Sequence, residues 1–208
     1  GRRSLLWEAT PGAGKTTAAV QVAVDQLGRG CRRIVVVVPT RHLKRQWASS
    51  ATRLGVHLDS EFSGTLTRDF NGVALTYQQL ASDPDFFEDF CRGATLILDE
   101  VHHAGDGLQW GTAVNQVAQD AAFVLALTGT AFRTDDCQIP FLQYEDGASV
   151  PDYRYSYSQA LADGICRPAA FCTYGGHVVW EQEEETIQTS LNDYGFDYPA
   201  RRLRVLVV

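Results

Sequence analysis

The chain has 208 residues, 45% of them hydrophobic and 21% charged, a globular mixture with enough apolar material for the core of one domain or one and a half. Its formal net charge of −7 excludes a module that binds nucleic acid through overall basicity, so any such contact has to come from a local surface. No apolar run approaches the ~20 residues that a bilayer span needs, which predicts no membrane association. Gly1-Arg2-Arg3-Ser4 carries no signal-peptide pattern, and the five cysteines form neither a CxxC pair nor zinc-finger spacing, so a cytoplasmic chain with reduced thiols is expected. The absence of methionine points to an excerpt of a longer chain.

Leu5-Leu6-Trp7 reads as a short strand, and residues 16–27 as a helix with Ala19, Val20, Ala23, Val24 and Leu27 on one face. Gly28 and Gly30 stop that helix. Ile34 to Val38 is a continuous β-branched run, the pattern of a strand buried on both faces of a parallel sheet. Residues 41–54 form a second predicted helix, closed by Gly55. Val73 to Leu75, Thr95 to Leu98 and Phe123 to Leu127 are further apolar strands. Strands alternating with helices predict an α/β fold: a central, mostly parallel sheet with helices on both faces. The polar motifs fall just past the C-terminal ends of strands, where open α/β sheets bind ligands.

Beyond residue 133 the character changes. Asp135 to Asp152 reads as loop, and Ser158 to Asp163 as a short helix before Gly164. Phe171 to Tyr174 and His177 to Trp180 predict a β-hairpin around Gly175-Gly176, and Glu181 to Glu185 a solvated acidic run.

Ala9-Thr10-Pro11-Gly12-Ala13-Gly14-Lys15-Thr16 follows a strand and opens a helix. Small residues let backbone N–H groups curl around phosphates, and the helix N-terminus adds donors and a favourable dipole. Thr10 to Thr17 are the expected ATP-binding residues. Lys15, expected to be exposed in the empty loop, would reach the β- and γ-phosphates, and Thr16 would hold Mg²⁺. Asp99 and Glu100 end an apolar strand, and two adjacent carboxylates there are costly unless a cation waits for them. Asp99 is the expected metal ligand, and Glu100 the base that orients and deprotonates a water. Adjacent histidines point different ways, so His102 and His103 make a poor metal pair; His102 is expected instead in a hydrogen-bond network reaching Thr128.

Together these residues resemble the first RecA-like motor domain of superfamily 2 DExH-type helicases and translocases. Four segments carry the resemblance in the family's order: Ala9 to Thr16, Val38 to Arg41, Asp99 to His102, and Thr128-Gly129-Thr130-Ala131. Thr76-Tyr77-Gln78 and Phe132-Arg133 extend it toward the branch of excision-repair helicases and type III restriction motor subunits. The likeness covers roughly residues 5–168, with 1–150 as the ATP-binding domain and 151–208 as a connector toward a second RecA-like domain of the same parent chain. That second domain, with its arginine fingers, is not placed in this sequence, and Ala9 stands where the family usually has glycine. An isolated half-motor of this kind is expected to turn over slowly.

The resemblance implies a nucleic-acid-dependent ATPase that uses ATP and Mg²⁺ to move along or open a duplex, and Thr76-Tyr77-Gln78 favours DNA over RNA. It implies that Pro39, Thr40 and Arg41 touch a nucleic-acid backbone with Thr76 and Gln78 nearby, and that Thr128, Gly129 and Thr130 couple the two sites. Thr40 would also cap the following helix, on which Lys44 and Arg45 read as a solvated face. Two other classes stay open: a different P-loop enzyme, such as a kinase or clamp-loader-type ATPase, and a nucleotide-gated scaffold without turnover.

Overall fold

A computed structural model describes residues 3–102, 108–129, 144–145, 148–168, 177–182 and 185–190. Residues 1–167 form one compact unit and residues 168–208 a second. The first unit contains β1 (Ser4–Ala9), α1 (Lys15–Gly28), β2 (Ile34–Val38), α2 (Arg41–Thr52), β3 (Leu58–Asp59), β4 (Gly72–Thr76), α3 (Tyr77–Ser82), α4 (Pro84–Cys91) and β5 (Thr95–Leu98). It continues with α5 (Leu108–Gln119), β6 (Phe123–Thr128), β7 (Tyr144–Glu145), β8 (Ala148–Ser149), β9 (Tyr153–Tyr155) and α6 (Tyr157–Ala162).

Seven strands form one sheet in the order β3-β4-β2-β5-β6-β1-β9, and every pairing in it is parallel. Side chains alternate between the faces of a strand, so a continuous apolar run such as Ile34–Val38 feeds both. Val35 and Val37 pack with Tyr77, Leu80, Phe87, Val114 and Val117 on the side of α3, α4 and α5. Ile34, Val36 and Val38 pack with Ala19, Val20, Ala23, Trp47 and Ala51 on the side of α1 and α2. All five residues of β2 are buried, as its run of β-branched residues predicts. Burying each such side chain is worth about 1.5–3 kcal/mol, which makes this two-sided core the main support of the site above it.

The predicted elements hold with small shifts. The second helix stops at Thr52 rather than residue 54, and Gly55 takes the left-handed conformation (φ 76°) beyond it. On α1, Ala19, Val20 and Ala23 are buried as expected, whereas Val24 is 37% exposed. The stretch read as loop from Asp135 to Asp152 contains the short antiparallel pair β7–β8. Tyr153–Tyr155, read as connector, pairs in parallel with β1 at the edge of the sheet.

The second unit contains β10 (His177–Gln182) and β11 (Glu185–Ser190), paired antiparallel with Gln182 opposite Glu185. A β-hairpin is present in the expected region, closed by the strand that follows His177–Gln182. His177 to Trp180 is a strand as expected, it pairs with the strand that follows it, and Glu181 and Glu185 both take positions in that ladder. The proposed partner Phe171 to Tyr174 lies outside the described residues, as do His103, Thr130 and Ala131 to Arg133. Among the described residues, no helix is long and apolar enough to cross a membrane, and Cys31, Cys91 and Cys166 are free thiols.

Candidate nucleotide site and nucleic-acid edge

The loop after β1 turns through Gly12 and Gly14, whose φ angles of 80° and 81° lie in the left-handed region that glycine enters without a Cβ penalty. The Ala13 N–H donates to Thr10 O (3.2 Å), and the Thr10 N–H to Tyr155 O of β9 (3.2 Å), so the loop is braced from within and from the sheet edge. Gly14 caps α1 without a side-chain bond, and the Ala18 N–H donates to Gly14 O at 3.1 Å. The N–H groups of Lys15, Thr16 and Thr17 precede that first helical bond, and such first-turn donors suit an anion. A Cβ built on Gly12 or Gly14 would meet nothing within 4 Å, so the loop borders open space at both glycines.

Strand β6 lies between β1 and β5, and the three strand ends converge there. Lys15 crosses the gap. Its Nζ donates to Ala9 O (3.0 Å) and to Glu100 Oε1 (3.2 Å). The Lys15 side chain is only 12% exposed, which corrects the expectation of an exposed lysine: its ammonium is paired with a carboxylate. The other Glu100 oxygen accepts from the Gly129 N–H (3.0 Å) and lies 3.5 Å from His102 Nδ1. His102 Nδ1 also shares a hydrogen bond with Thr128 Oγ1 (3.2 Å). Among the described residues Glu100 is the one non-glycine at positive φ (49°), a conformation that costs about 1–3 kcal/mol and is kept where the surroundings over-determine it.

Asp99 is 8% exposed, with its N–H donating to Val37 O at 2.8 Å. Burial raises its carboxyl above the ordinary aspartate value, against the lowering effect of the Trp47 indole, whose Nε1 donates to Asp99 Oδ2 at 2.7 Å. The Tyr77 hydroxyl donates to Asp99 O at 2.9 Å. Neither contact was anticipated from the sequence.

The expected nucleic-acid residues gather at the ends of β2 and β4, which are neighbours. Thr40 caps α2 as predicted, accepting from the Leu43 N–H (3.4 Å), and Arg41 and Gln78 are exposed. Thr76 is 6% exposed, and its hydroxyl is engaged in the capping box of α3 with Gln79. Lys44 departs from expectation. It is 6% exposed, and its Nζ donates to Gln79 Oε1 at 2.9 Å, while Arg45 stays on the surface against Glu61 (3.1 Å). Burial holds the Lys44 ammonium below the usual lysine value. A cleft of about 450 Å³ opens here, lined by Arg41, His42, Arg45, Glu61 and Phe62 among others.

A glycine loop feeding a helix, a lysine returned to a strand-end carboxylate and an inserted strand between them define a RecA-like P-loop nucleotide-binding domain of the superfamily 2 helicase class. The chain belongs to the family described as type III restriction enzyme, res subunit, whose model matches residues 1–133. Its curated relatives include an uncharacterized protein of Mycobacterium tuberculosis, 41% identical over 189 residues that cover 86% of this chain and 31% of that protein. Another, from Mycobacterium leprae, is 43% identical over 189 residues, covering 86% and 32%. The chain thus spans about a third of the length of the curated relatives it matches. In fold it is similar to the Sulfolobus solfataricus SWI2/SNF2 ATPase core in complex with dsDNA (TM-score 0.51, 20% identity, 61% of this chain and 27% of that one). It is also similar to the Pyrococcus furiosus Hef helicase domain (TM-score 0.50, 21% identity, 62% and 30%).

Proposed function

We propose that this domain binds ATP with Mg²⁺ and, in the intact protein, hydrolyses it to drive movement along or opening of a nucleic-acid duplex. The observation that carries the reading is the placement of Lys15, Glu100 and Gly129 around the open end of the phosphate loop.

The donor set fits a magnesium nucleotide: main-chain N–H groups for phosphate oxygens, the Thr16 hydroxyl and the Asp99 carboxylate for the metal, in a loop bordering open space. Bound Mg²⁺ would supply charge neutralisation on the phosphates. Thr10 to Thr17 hold the phosphates, and Lys15 moves from Glu100 to the terminal phosphate. Glu100, still held through its other oxygen by the Gly129 N–H at 3.0 Å, orients a water and takes its proton. His102 and Thr128 carry the state of Glu100 to the end of β6, where Gly129 and Thr130 follow.

Pro39, Thr40, Arg41 and Gln78 line the edge proposed for the nucleic-acid backbone, with Thr76 shaping it from beneath. Contacts to phosphate carry no sequence information, so little sequence preference is expected. DNA is favoured over RNA by the Thr76-Tyr77-Gln78 segment, and the Sulfolobus neighbour was solved on double-stranded DNA. The relatives are long enough to hold a second RecA-like domain, to which residues 151–208 would lead from the domain at 1–150, and a cytoplasmic location belongs to the same reading.

The test is phosphate release from ATP by the intact protein with DNA, with RNA and with neither. Stimulation by polynucleotide supports the motor. Transfer of the phosphate to another acceptor would mark a different P-loop enzyme, and tight binding without turnover a scaffold.

A further inference from the structure

Asp99 is held from both faces of the sheet. Trp47, 2% exposed, packs with α1 and α2 and donates its indole N–H to Asp99 Oδ2 at 2.7 Å. Tyr77, fully buried, packs with α4 and α5 on the other face and donates its hydroxyl to Asp99 O at 2.9 Å. A buried tryptophan or tyrosine usually finds some partner for its polar atom, so either bond alone would be ordinary packing. Here two donors from two helices on opposite faces converge on one residue. Each helix starts at the proposed nucleic-acid edge: α2 behind Thr40, α3 behind Thr76. A third contact ties the helices together at that edge, where Lys44 Nζ of α2 donates to Gln79 Oε1 of α3 at 2.9 Å. The same Gln79 oxygen accepts from the Thr76 N–H at 3.1 Å, so the tie reaches the first turn of α3.

We infer that Trp47 and Tyr77 are positioning residues that clamp Asp99 and make its metal-binding geometry depend on the placement of α2 and α3, so that nucleic acid at the edge and metal at Asp99 sense each other. This rests on the magnesium-nucleotide reading above. With Oδ2 tied to the indole, the direction of the other carboxylate oxygen is set by the position of α2. A bond of 2.7 Å has little slack, and Trp47 lies six residues, or roughly 9 Å of helix, from Arg41. A shift of α2 as a rigid rod when Arg41 meets a phosphate therefore turns the carboxylate.

The experiment uses the intact protein labelled with fluorotryptophan, the position 47 resonance being assigned by its loss in W47F. ADP with Mg²⁺, and separately a short DNA duplex without nucleotide, should each move that resonance. In parallel, binding of a fluorescent ADP analogue is titrated with Mg²⁺ in wild type, W47F and the near-isosteric Y77F. Loss of a hydrogen bond to a charged group should raise the Mg²⁺ needed for half-maximal binding about tenfold in W47F. Metal-free ADP affinity should stay within about twofold, since the hydrogen bonds of both residues go to Asp99 and not to the phosphate loop. Y77F should shift the Mg²⁺ requirement in the same direction and fold cleanly if W47F does not. A position 47 resonance unmoved by MgADP or by DNA, or an unchanged Mg²⁺ requirement in Y77F, overturns the clamp while leaving the nucleotide reading in place. A wild type whose ADP binding ignores Mg²⁺ overturns that reading, and the clamp with it.

Discussion

Lys15 Nζ lies 3.2 Å from Glu100 Oε1, so the residue proposed to grip the terminal phosphate is paired with the residue proposed to activate water. The pair is partly shielded, the two side chains being 12% and 28% exposed. In the proposed reaction Lys15 has to give up this carboxylate in order to meet a phosphate. The second Glu100 bond, from the Gly129 N–H, keeps the carboxylate aimed while the first one breaks.

Lys15→Ala should therefore act on binding far more than on the fold. Loss of one charge-assisted contact predicts an affinity for MgATP lowered about tenfold or more. A partly exposed ion pair adds little stability, so the melting temperature should move by no more than about 4 °C. Calorimetric titration and thermal unfolding of the two proteins check this, and an unchanged ATP affinity would remove Lys15 from the site.

Gly129→Ala probes the same pair from the other side. Its Cβ would sit 3.1 Å from Lys15 Nζ and 3.5 Å from Glu100 Oε1, closer to the lysine than ordinary contact allows. The lysine tip can yield, so the fold should survive, but the carboxylate is displaced from its line. Small displacements at a reacting centre cost up to about a hundredfold in rate, and a fall in turnover of about tenfold or more is expected with ATP affinity nearly intact. Steady-state kinetics alongside nucleotide titration separate the two effects.

Thr128→Ala removes the hydroxyl that His102 Nδ1 meets at 3.2 Å. Thr128 is 3% exposed at the end of β6, and its hydroxyl meets His102, so ATP binding should change less than coupling. Duplex opening per ATP consumed should fall several-fold more than ATP consumption. Equal fractional losses in the two assays would deny Thr128 a coupling role.

Most of the motor layout is written locally. The buried run Ile34–Val38, the strand Thr95–Leu98 and the loop Ala9 to Thr16 each announce themselves within a few residues, because periodicity and phosphate-cradle chemistry are local properties. What escaped depends on distant partners. Lys44 looks like a solvated lysine on a helix until Gln79, 35 residues away, supplies an acceptor. Trp47 and Asp99 are 52 residues apart, and nothing near either marks the bond. Thr76 was expected at the nucleic-acid edge, but Gln79 three residues later makes it a capping-box residue as well. The pairing of His177–Gln182 with Glu185–Ser190 was not read from the sequence, because no turn signal of the Gly-Gly kind stands between them.

Glu100→Gln in the intact protein tests the central claim most directly. The amide keeps the shape of the side chain and can still accept from the Gly129 N–H, but it cannot take a proton from water. Phosphate release from ATP is measured with Mg²⁺ and saturating duplex DNA, alongside nucleotide affinity. The account predicts DNA-stimulated hydrolysis in the wild type, a loss of about 10²–10⁴-fold in the variant, and MgATP binding retained. Hydrolysis near the wild-type rate in Glu100→Gln, or a wild type that DNA does not stimulate, would contradict it.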